Sequence, residues 1–355
     1  MSLQIQIEKT QTPRPRVAAD KLGFGQYFAD HMFTLEYENG EWKNARIQPY
    51  GPIAMEPGAS VFHYGQALFE GMKAFRSVSG DINLFRPEYN AHRMIAGAER
   101  LCMQAPDPKD FVQAVEQLVK LDASWIPDQK DSALYLRPTL IGTESFLGVR
   151  PSKKYLFFII TSPVGAYYAE KFAPVKIWIE TKHIRAALGG LGATKAAANY
   201  AASLQASHEA KQKGYSQVLW LDAAKHEYIE EVGTMNVFFR IGDEVVTPSL
   251  DGSILAGATR ACVIQLLKDF GIKISERKIS LKEISEAQKN GTLKEAFGTG
   301  TAAVISPVGL LANDEHRIEI NNMQVGEVTQ KLYTELTAIQ TGAKPDLHGW
   351  VHVIK

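Results

Sequence analysis

The sequence predicts a two-domain chain of mixed α and β structure, with mixed sheets carrying helices rather than one doubly wound parallel sheet. Three observations support this. The 355 residues exceed the usual single-domain size. Apolar runs of strand type and stretches of helical period interleave without strict strand–helix–strand alternation. Near the middle, "SPVGAYYAEKFAP" at Ser162–Pro174 loses all periodicity and carries prolines and a glycine. The expected organisation is a smaller N-terminal domain at 1–165, a connection at 166–176 and a larger domain at 177–355. A polar, proline-bearing arm occupies 1–25.

The elements follow in order. "FTLEYENGEWKNARI" reads as a hairpin around Asn39-Gly40, a strong short-range turn signal. "DFVQAVEQLVKL" puts Phe111, Val112, Val115, Leu118 and Val119 on one helical face. "YLFFII" at Tyr155–Ile160 suits a buried strand, as does "VKIWIET" after the connection. A helix from about Ala197 to Lys213 is expected to end at Gly214. "YSQVLWLD" and "TMNVFFRIGDEVVTP" read as strands, the latter turning at Gly242-Asp243. "TRACVIQLLKDFG" is a helix closed by Gly271, and "GEVTQKLYTELTAIQ" another near the C-terminus.

Composition removes several functions. Lys+Arg and Asp+Glu both number 39, so a nucleic-acid binder working through a basic face is disfavoured. The two cysteines, Cys102 and Cys262, form neither a disulfide framework nor a metal-type spacing, which fits a reducing cytoplasm. "MSLQIQIEKTQTPRPR" has no apolar core of a signal peptide, and "YLFFII" is far too short to cross a bilayer. His348 and His352 in "HGWVH" have helical metal-pair spacing. Gly349 stands where a zinc protease needs glutamate, no third ligand is evident, and packing of Trp350 accounts for the segment better. No metal is expected. A soluble, cytoplasmic protein acting on small molecules or on its own copies is what remains.

The most informative stretch is "GGLGATKAAANY", Gly189–Tyr200. Between Arg185 and His208 the ionisable side chains are Lys195 and Tyr200 alone. The stretch fails the Walker pattern, because Thr194 precedes the lysine and Ala196 follows it. It also fails G-x-G-x-x-G, since Lys195 takes the third glycine's place. Two readings stay open on local grounds. Lys195 is a solvated lysine at a helix start, or it is an amine of depressed pKa beside small residues that admit a flat ligand. The second reading points to a Schiff-base lysine for a carbonyl cofactor, above all pyridoxal phosphate, and requires further parts. "EEVGTMNVFF" offers a carboxylate at Glu230 or Glu231, or else a solvated acidic pair. "LAGATRACVIQLL" offers a helix start with the Thr259 hydroxyl for a phosphate, or else an ordinary cap. "FGTGTAAVISP" adds a second glycine/threonine loop before an apolar strand.

Taken in order with "HYGQALFEGMKAF", "LFRPEYNAHRM", "YLRPTLIG" and "GATR", these segments resemble the branched-chain amino acid aminotransferases, fold-type IV pyridoxal phosphate enzymes. The resemblance covers nearly the whole chain, from "FGQYFADHM" onward. It implies that Lys195 is the Schiff-base lysine and proton shuttle. Tyr200 would meet the cofactor's phenolic oxygen, and Glu231 its pyridine nitrogen. Arg93, the amides of Ala258 and Thr259, the Thr259 hydroxyl and Thr301 would hold the phosphate. Thr234 and Asn236 would support the ring. Phe24, Tyr64, Phe69, Tyr135 and Tyr167 would wall the side-chain pocket. Thr301 and Ala302 would receive the α-carboxylate, and Arg137 the distal carboxylate of glutamate. The family's site lies between its domains and is completed by the partner subunit, through the equivalents of Tyr64 and of Leu147–Val149, which implies a homodimer. The implied reaction is reversible, ping-pong transfer of the amino group of L-leucine, L-isoleucine or L-valine to 2-oxoglutarate. Some relatives carry a redox pair of cysteines after the G-T-A turn; Ala303 and Ser306 stand there instead, so that regulation is not expected. A D-amino acid aminotransferase or an aminodeoxychorismate lyase would share the cofactor parts, and a non-catalytic phosphate- or nucleotide-binding module would share the glycine loops.

Overall fold

The structure is a computed structural model that describes residues 3–18, 21–165 and 172–355. Its contacts divide the chain into two compact units. Unit 1 takes the chain through Tyr167, Thr194–Ala198 and Ala338–Lys355; unit 2 takes Tyr168–Ala193 and Asn199–Thr337.

Unit 1 begins with β1 (Gln6–Ile7), β2 (His31–Glu38) and β3 (Glu41–Pro49). Asn39 (φ 56°) and Gly40 (φ 88°) make the expected tight hairpin turn. After α1 (Ser60–Tyr64) come β4 (Ala67–Phe69), β5 (Met72–Arg76), β6 (Ile82–Phe85), α2 (Pro87–Arg100), α3 (Pro108–Leu121), β7 (Ala133–Gly142) and β8 (Tyr155–Val164). Helix α3 starts on Asp107, whose carboxylate accepts the Lys109 amide. It buries Phe111, Ala114, Val115, Leu118 and Val119, so Ala114 takes the place expected for the half-buried Val112. The sheet runs β1-β3-β2-β8-β7-β5-β6, with β4 also on β7. Several described residues of the arm are held by contacts with the rest of unit 1. Strand β1 pairs with β3, the Arg14 amide donates to Asp30 at 2.7 Å, and the Arg16 guanidinium lies 3.7 Å from the centre of the Trp125 ring system.

Unit 2 holds β9 (Val175–Ile179), β10 (Gln217–Leu221), β11 (Ile229–Val232), β12 (Met235–Ile241), β13 (Glu244–Thr247), β14 (Lys273–Glu276), β15 (Leu293–Gly300), β16 (Val304–Ala312) and β17 (Arg317–Glu319). Strands β11-β10-β9-β16-β15-β12 pair in sequence, and β12 pairs again with β11. That last pairing closes a six-stranded barrel, packed with Ile177, Leu219, Val237 and Leu311. The helices are α4 (Ala197–Ala202), α5 (Leu204–Gln212), α6 (Ala258–Asp269), α7 (Leu281–Lys289) and α8 (Glu327–Gln340), of which α4 and α8 cross the unit boundary. The expected single helix at 197–213 is thus two. It breaks at Ser203, whose hydroxyl donates to the Tyr200 carbonyl at 2.8 Å and competes with the helical ladder. Gly214 (φ 83°) and Gly271 (φ 68°) sit just past helix ends as expected.

The last strand, β18 (Val351–Ile354), returns to unit 1 and pairs antiparallel with β6. His352 therefore lies on a strand, where the i, i+4 spacing from His348 does not bring the pair together as a helix would. Among the described residues no cluster of side chains suits a metal ion, and no helix is long and apolar enough to cross a membrane.

Candidate active site

In unit 1, Lys195 enters alongside β4. The Phe69 amide donates to the Lys195 carbonyl at 3.2 Å, and Leu68 bridges to Ala196. This places the Lys195 Nζ 4.6 Å from the centre of the Phe69 ring. The Arg137 guanidinium stands over the same ring at 4.6 Å and donates to the Tyr135 hydroxyl at 3.2 Å. Tyr135 in turn meets Phe24 edge-on, ring centres 4.9 Å apart. Burial, with the Arg93 charge adding to it, pushes the Lys195 amine down to about 8, while Glu70 and Tyr135 oppose the shift. Lysine, aromatic walls and arginine thus share one region of unit 1.

Arg93, on α2, grips Glu70 with both sides of its fork, Nε to Oε1 at 2.8 Å and Nη2 to Oε2 at 2.6 Å. Glu70 is fully buried, and Asn90 also donates to it at 2.7 Å. Glu70 was not among the expected site residues. Its signal lay in "LFEGMKAF", where a carboxylate stands inside an apolar run. Glu70→Ala should destabilise the protein by about 3–5 kcal/mol, because it strands the largely buried guanidinium. Urea unfolding of the variant checks this; a loss under about 1 kcal/mol would show that the pair is not holding Arg93.

In unit 2, Glu230 and Glu231 lie on β11, 5% and 3% exposed, so they are not a solvated acidic pair. The Glu231 Oε1 accepts the Leu255 amide at 2.8 Å, and the Asn236 amide approaches it at 3.5 Å. Its Oε2 lies 3.1 Å from the Arg185 Nε. Arg185 was missed as well; in sequence it marks the edge of the uncharged window before Lys195. Gly192 explains part of that window's composition, since a Cβ there would collide with the Ser253 carbonyl oxygen.

Three residues beyond Ser253, the chain passes Ala256 and Gly257 into α6. Gly257 is the N-cap and has no side chain to satisfy the first amides. A Cβ there would collide with the Asn236 Oδ1, so only glycine fits. Ala258 and Thr259 open the helix with their amides uncapped by any side chain of Gly257, an arrangement suited to a phosphate. In unit 2 a buried carboxylate and a helix that opens on glycine, and in unit 1 a lysine of depressed pKa, are each of the chemical kind that suits pyridoxal phosphate, so the residues present fit that group.

The remaining expected residues lie on several elements. Thr234 is exposed at the turn between β11 and β12. Thr301 and Ala302 lie half-buried in the turn from β15 to β16, which ends on Val304 at φ 61°, a strained conformation for a β-branched residue. Tyr200 is half-buried on α4. The Tyr64 hydroxyl donates to the Leu147 carbonyl. Tyr167 lies outside the described residues.

The comparisons agree with this chemistry. A family described as "Amino-transferase class IV" matches residues 67–311, and the chain belongs to that family. Within it, the chain is one of the branched-chain-amino-acid aminotransferase group. It is 50% identical over 347 residues to "Branched-chain-amino-acid aminotransferase 2" of Bacillus subtilis (strain 168), covering 98% of this chain and 96% of that one. The fold is that of the Escherichia coli branched-chain amino acid aminotransferase (TM-score 0.76, 24% identity, 92% and 99% of the two chains covered). It is also that of the Thermobaculum terrenum branched-chain amino acid aminotransferase solved in its PLP-bound holo form (TM-score 0.72, 22% identity, 91% and 98% covered).

Proposed function

We propose that this protein is a cytoplasmic, pyridoxal phosphate-dependent transaminase exchanging the amino group of L-leucine, L-isoleucine or L-valine with 2-oxoglutarate. The observation that carries the reading is Lys195, an amine pushed down to about 8 against Phe69 and beside the Arg93–Glu70 pair. Bound pyridoxal phosphate supplies a carbonyl for amines to join and a ring that takes electrons from the substrate's Cα–H bond. Lys195 would anchor the cofactor, and its amine would take the substrate's Cα proton as base and give it back as acid. Glu231, as a carboxylate, would accept from the protonated pyridine nitrogen, with Asn236 steadying the carboxylate and Thr234 nearby in sequence. Tyr200 would donate to the phenolic oxygen. Arg93, Ala258, Thr259 and Thr301 take the phosphate, and Thr301 with Ala302 the substrate α-carboxylate.

One pocket must take both leucine and glutamate. Phe24, Phe69, Tyr135 and Tyr167 give the apolar walls, and Arg137 gives the distal carboxylate its partner. Arg137→Ala should cost about 100-fold or more in kcat/KM for glutamate while leaving leucine within about fivefold, as an ion pair to carboxylate outweighs apolar contact. Equal losses on both substrates, measured by paired steady-state assays, would refute the role.

A homodimer completes the reading. Phe62 (57% exposed), Leu147 (67%) and Val149 (87%) present apolar surface on α1 and the 143–150 loop, which are tied together by the Ser60 amide to the Glu144 carbonyl at 3.1 Å. Sedimentation should give about twice the chain mass; a monomer of full activity would remove this part. The function itself is tested by the visible absorption of the loaded protein before and after L-leucine, with no oxo acid added. Conversion from the aldehyde to the amine form of the cofactor is expected. A spectrum that D-alanine changes and L-leucine does not would favour the D-amino acid enzyme.

A further inference from the structure

We infer that Arg185 is a positioning residue that keeps Glu231 an anion for the cofactor's pyridine nitrogen, and that the adjacent Glu230 is held as a neutral acid so that Arg185 serves Glu231 alone. The inference rests on the proposed role of Glu231.

Two consecutive carboxyl groups are buried on β11, and the cation set against them is Arg185, itself largely buried. Among the described residues the ion pair to this carboxyl pair comes from Arg185, and two buried negative charges against one positive charge would leave one carboxylate uncompensated at a cost of several kcal/mol. The hydrogen bonds indicate which carboxyl stays neutral. Ser253 Oγ lies 2.6 Å from the Glu230 Oε1 and 2.8 Å from the Asp251 Oδ1. A serine hydroxyl has one hydrogen, so it cannot donate to both oxygens. A second proton is required, and it belongs on Glu230. Asp251 is exposed, whereas Glu230 is buried, where a charge costs more. The chain then reads Glu230 O–H to Ser253 Oγ, and Ser253 O–H to Asp251. Burial pushes the Glu230 carboxyl up to about 7; the Asp251 and Glu231 charges add to that, and the Ser253 bond and Arg185 oppose it.

Arg185 is fixed from its other side. Its Nη2 donates to the Gly192 carbonyl at 3.0 Å and to the Ser253 carbonyl. The guanidinium therefore cannot swing to follow Glu230. A positive charge 3.1 Å from one carboxylate oxygen favours the ion pair of Glu231 with a pyridinium over the neutral pair in which the same proton sits on the glutamate.

The holoenzyme loaded with pyridoxal phosphate carrying ¹⁵N in the ring tests this by NMR. The wild type should show a pyridinium signal, and Glu231→Gln a neutral-pyridine signal. Arg185→Gln should move the signal most of the way to the neutral range, while Arg185→Lys, which keeps the charge, should restore most of it. An Arg185→Gln signal equal to wild type would overturn the inference and leave Arg185 a staple between loops. Wild-type and Glu231→Gln signals that coincide would instead sink the role of Glu231. If Arg185→Gln does not fold, Glu230→Gln decides. An amide replaces a neutral acid without changing charge, so its signal at pH 6 should equal wild type; a shift would overturn the assignment of Glu230. The thermal midpoint gives a second readout. The unfolded chain releases the Glu230 proton at its ordinary 4.5 and the folded chain near 7, so the wild type should lose stability relative to Glu230→Gln as pH rises from about 4.5 to 7, and level off above that. Parallel midpoints over that range would also overturn it.

Discussion

Lys195→Ala should abolish turnover, with a loss of at least about 10⁴-fold, because one side chain supplies both the covalent anchor and the proton shuttle. The protein should still fold. Lys195 is half-buried, and its backbone bond to Phe69 does not depend on its side chain. A circular dichroism spectrum and thermal midpoint near wild type would exclude a folding defect, and single-turnover measurement with L-leucine would read the chemistry. Transamination by the purified variant within about 100-fold of wild type would remove Lys195 from the mechanism. The depressed pKa adds a pH signature. Below about 8 the amine is protonated and cannot attack an aldehyde, so capture of pyridoxal phosphate by the apo form should accelerate as pH rises through that value and then level off. An ordinary solvated lysine would keep accelerating toward 10.5.

Glu231→Gln should lower kcat by about 10²–10³-fold, the scale for losing one preorganised electrostatic contact to charge that develops in the transition state. The amide can still accept the Leu255 N–H, so the local fold should survive, but it cannot compensate a pyridinium. Because the loss lies in the chemical step, kcat and kcat/KM should fall together. A raised KM at unchanged kcat would place Glu231 in substrate binding.

The elements written in local chemistry were legible. The Asn39-Gly40 turn, the glycines ending helices at 214 and 271, and the apolar runs of β8 and β16 follow from backbone preference and period, which neighbours in sequence decide. The isolation of Lys195 was legible for the same reason, as a run of small uncharged residues around one amine. The break at Ser203 was not, because a serine hydroxyl competing for a helical carbonyl is a matter of local geometry rather than of pattern.

What the sequence by itself determined was the set of chemical groups: a lysine kept from other charges, a carboxylate pair before a glycine turn, a helix opening on glycine, and an aromatic-rich N-terminal half. What only the tertiary structure decided was their pairing. Glu70 with Arg93 spans 23 residues, Arg185 with Ser253 spans 68, and β18 with β6 joins the C-terminus to a strand near residue 85. Closure of the barrel through β11 and β12 likewise depends on every strand between them finding its neighbour. Such contacts form because buried charges and open sheet edges must be satisfied somewhere within the fold. Which partner satisfies them depends on the packing of the whole chain.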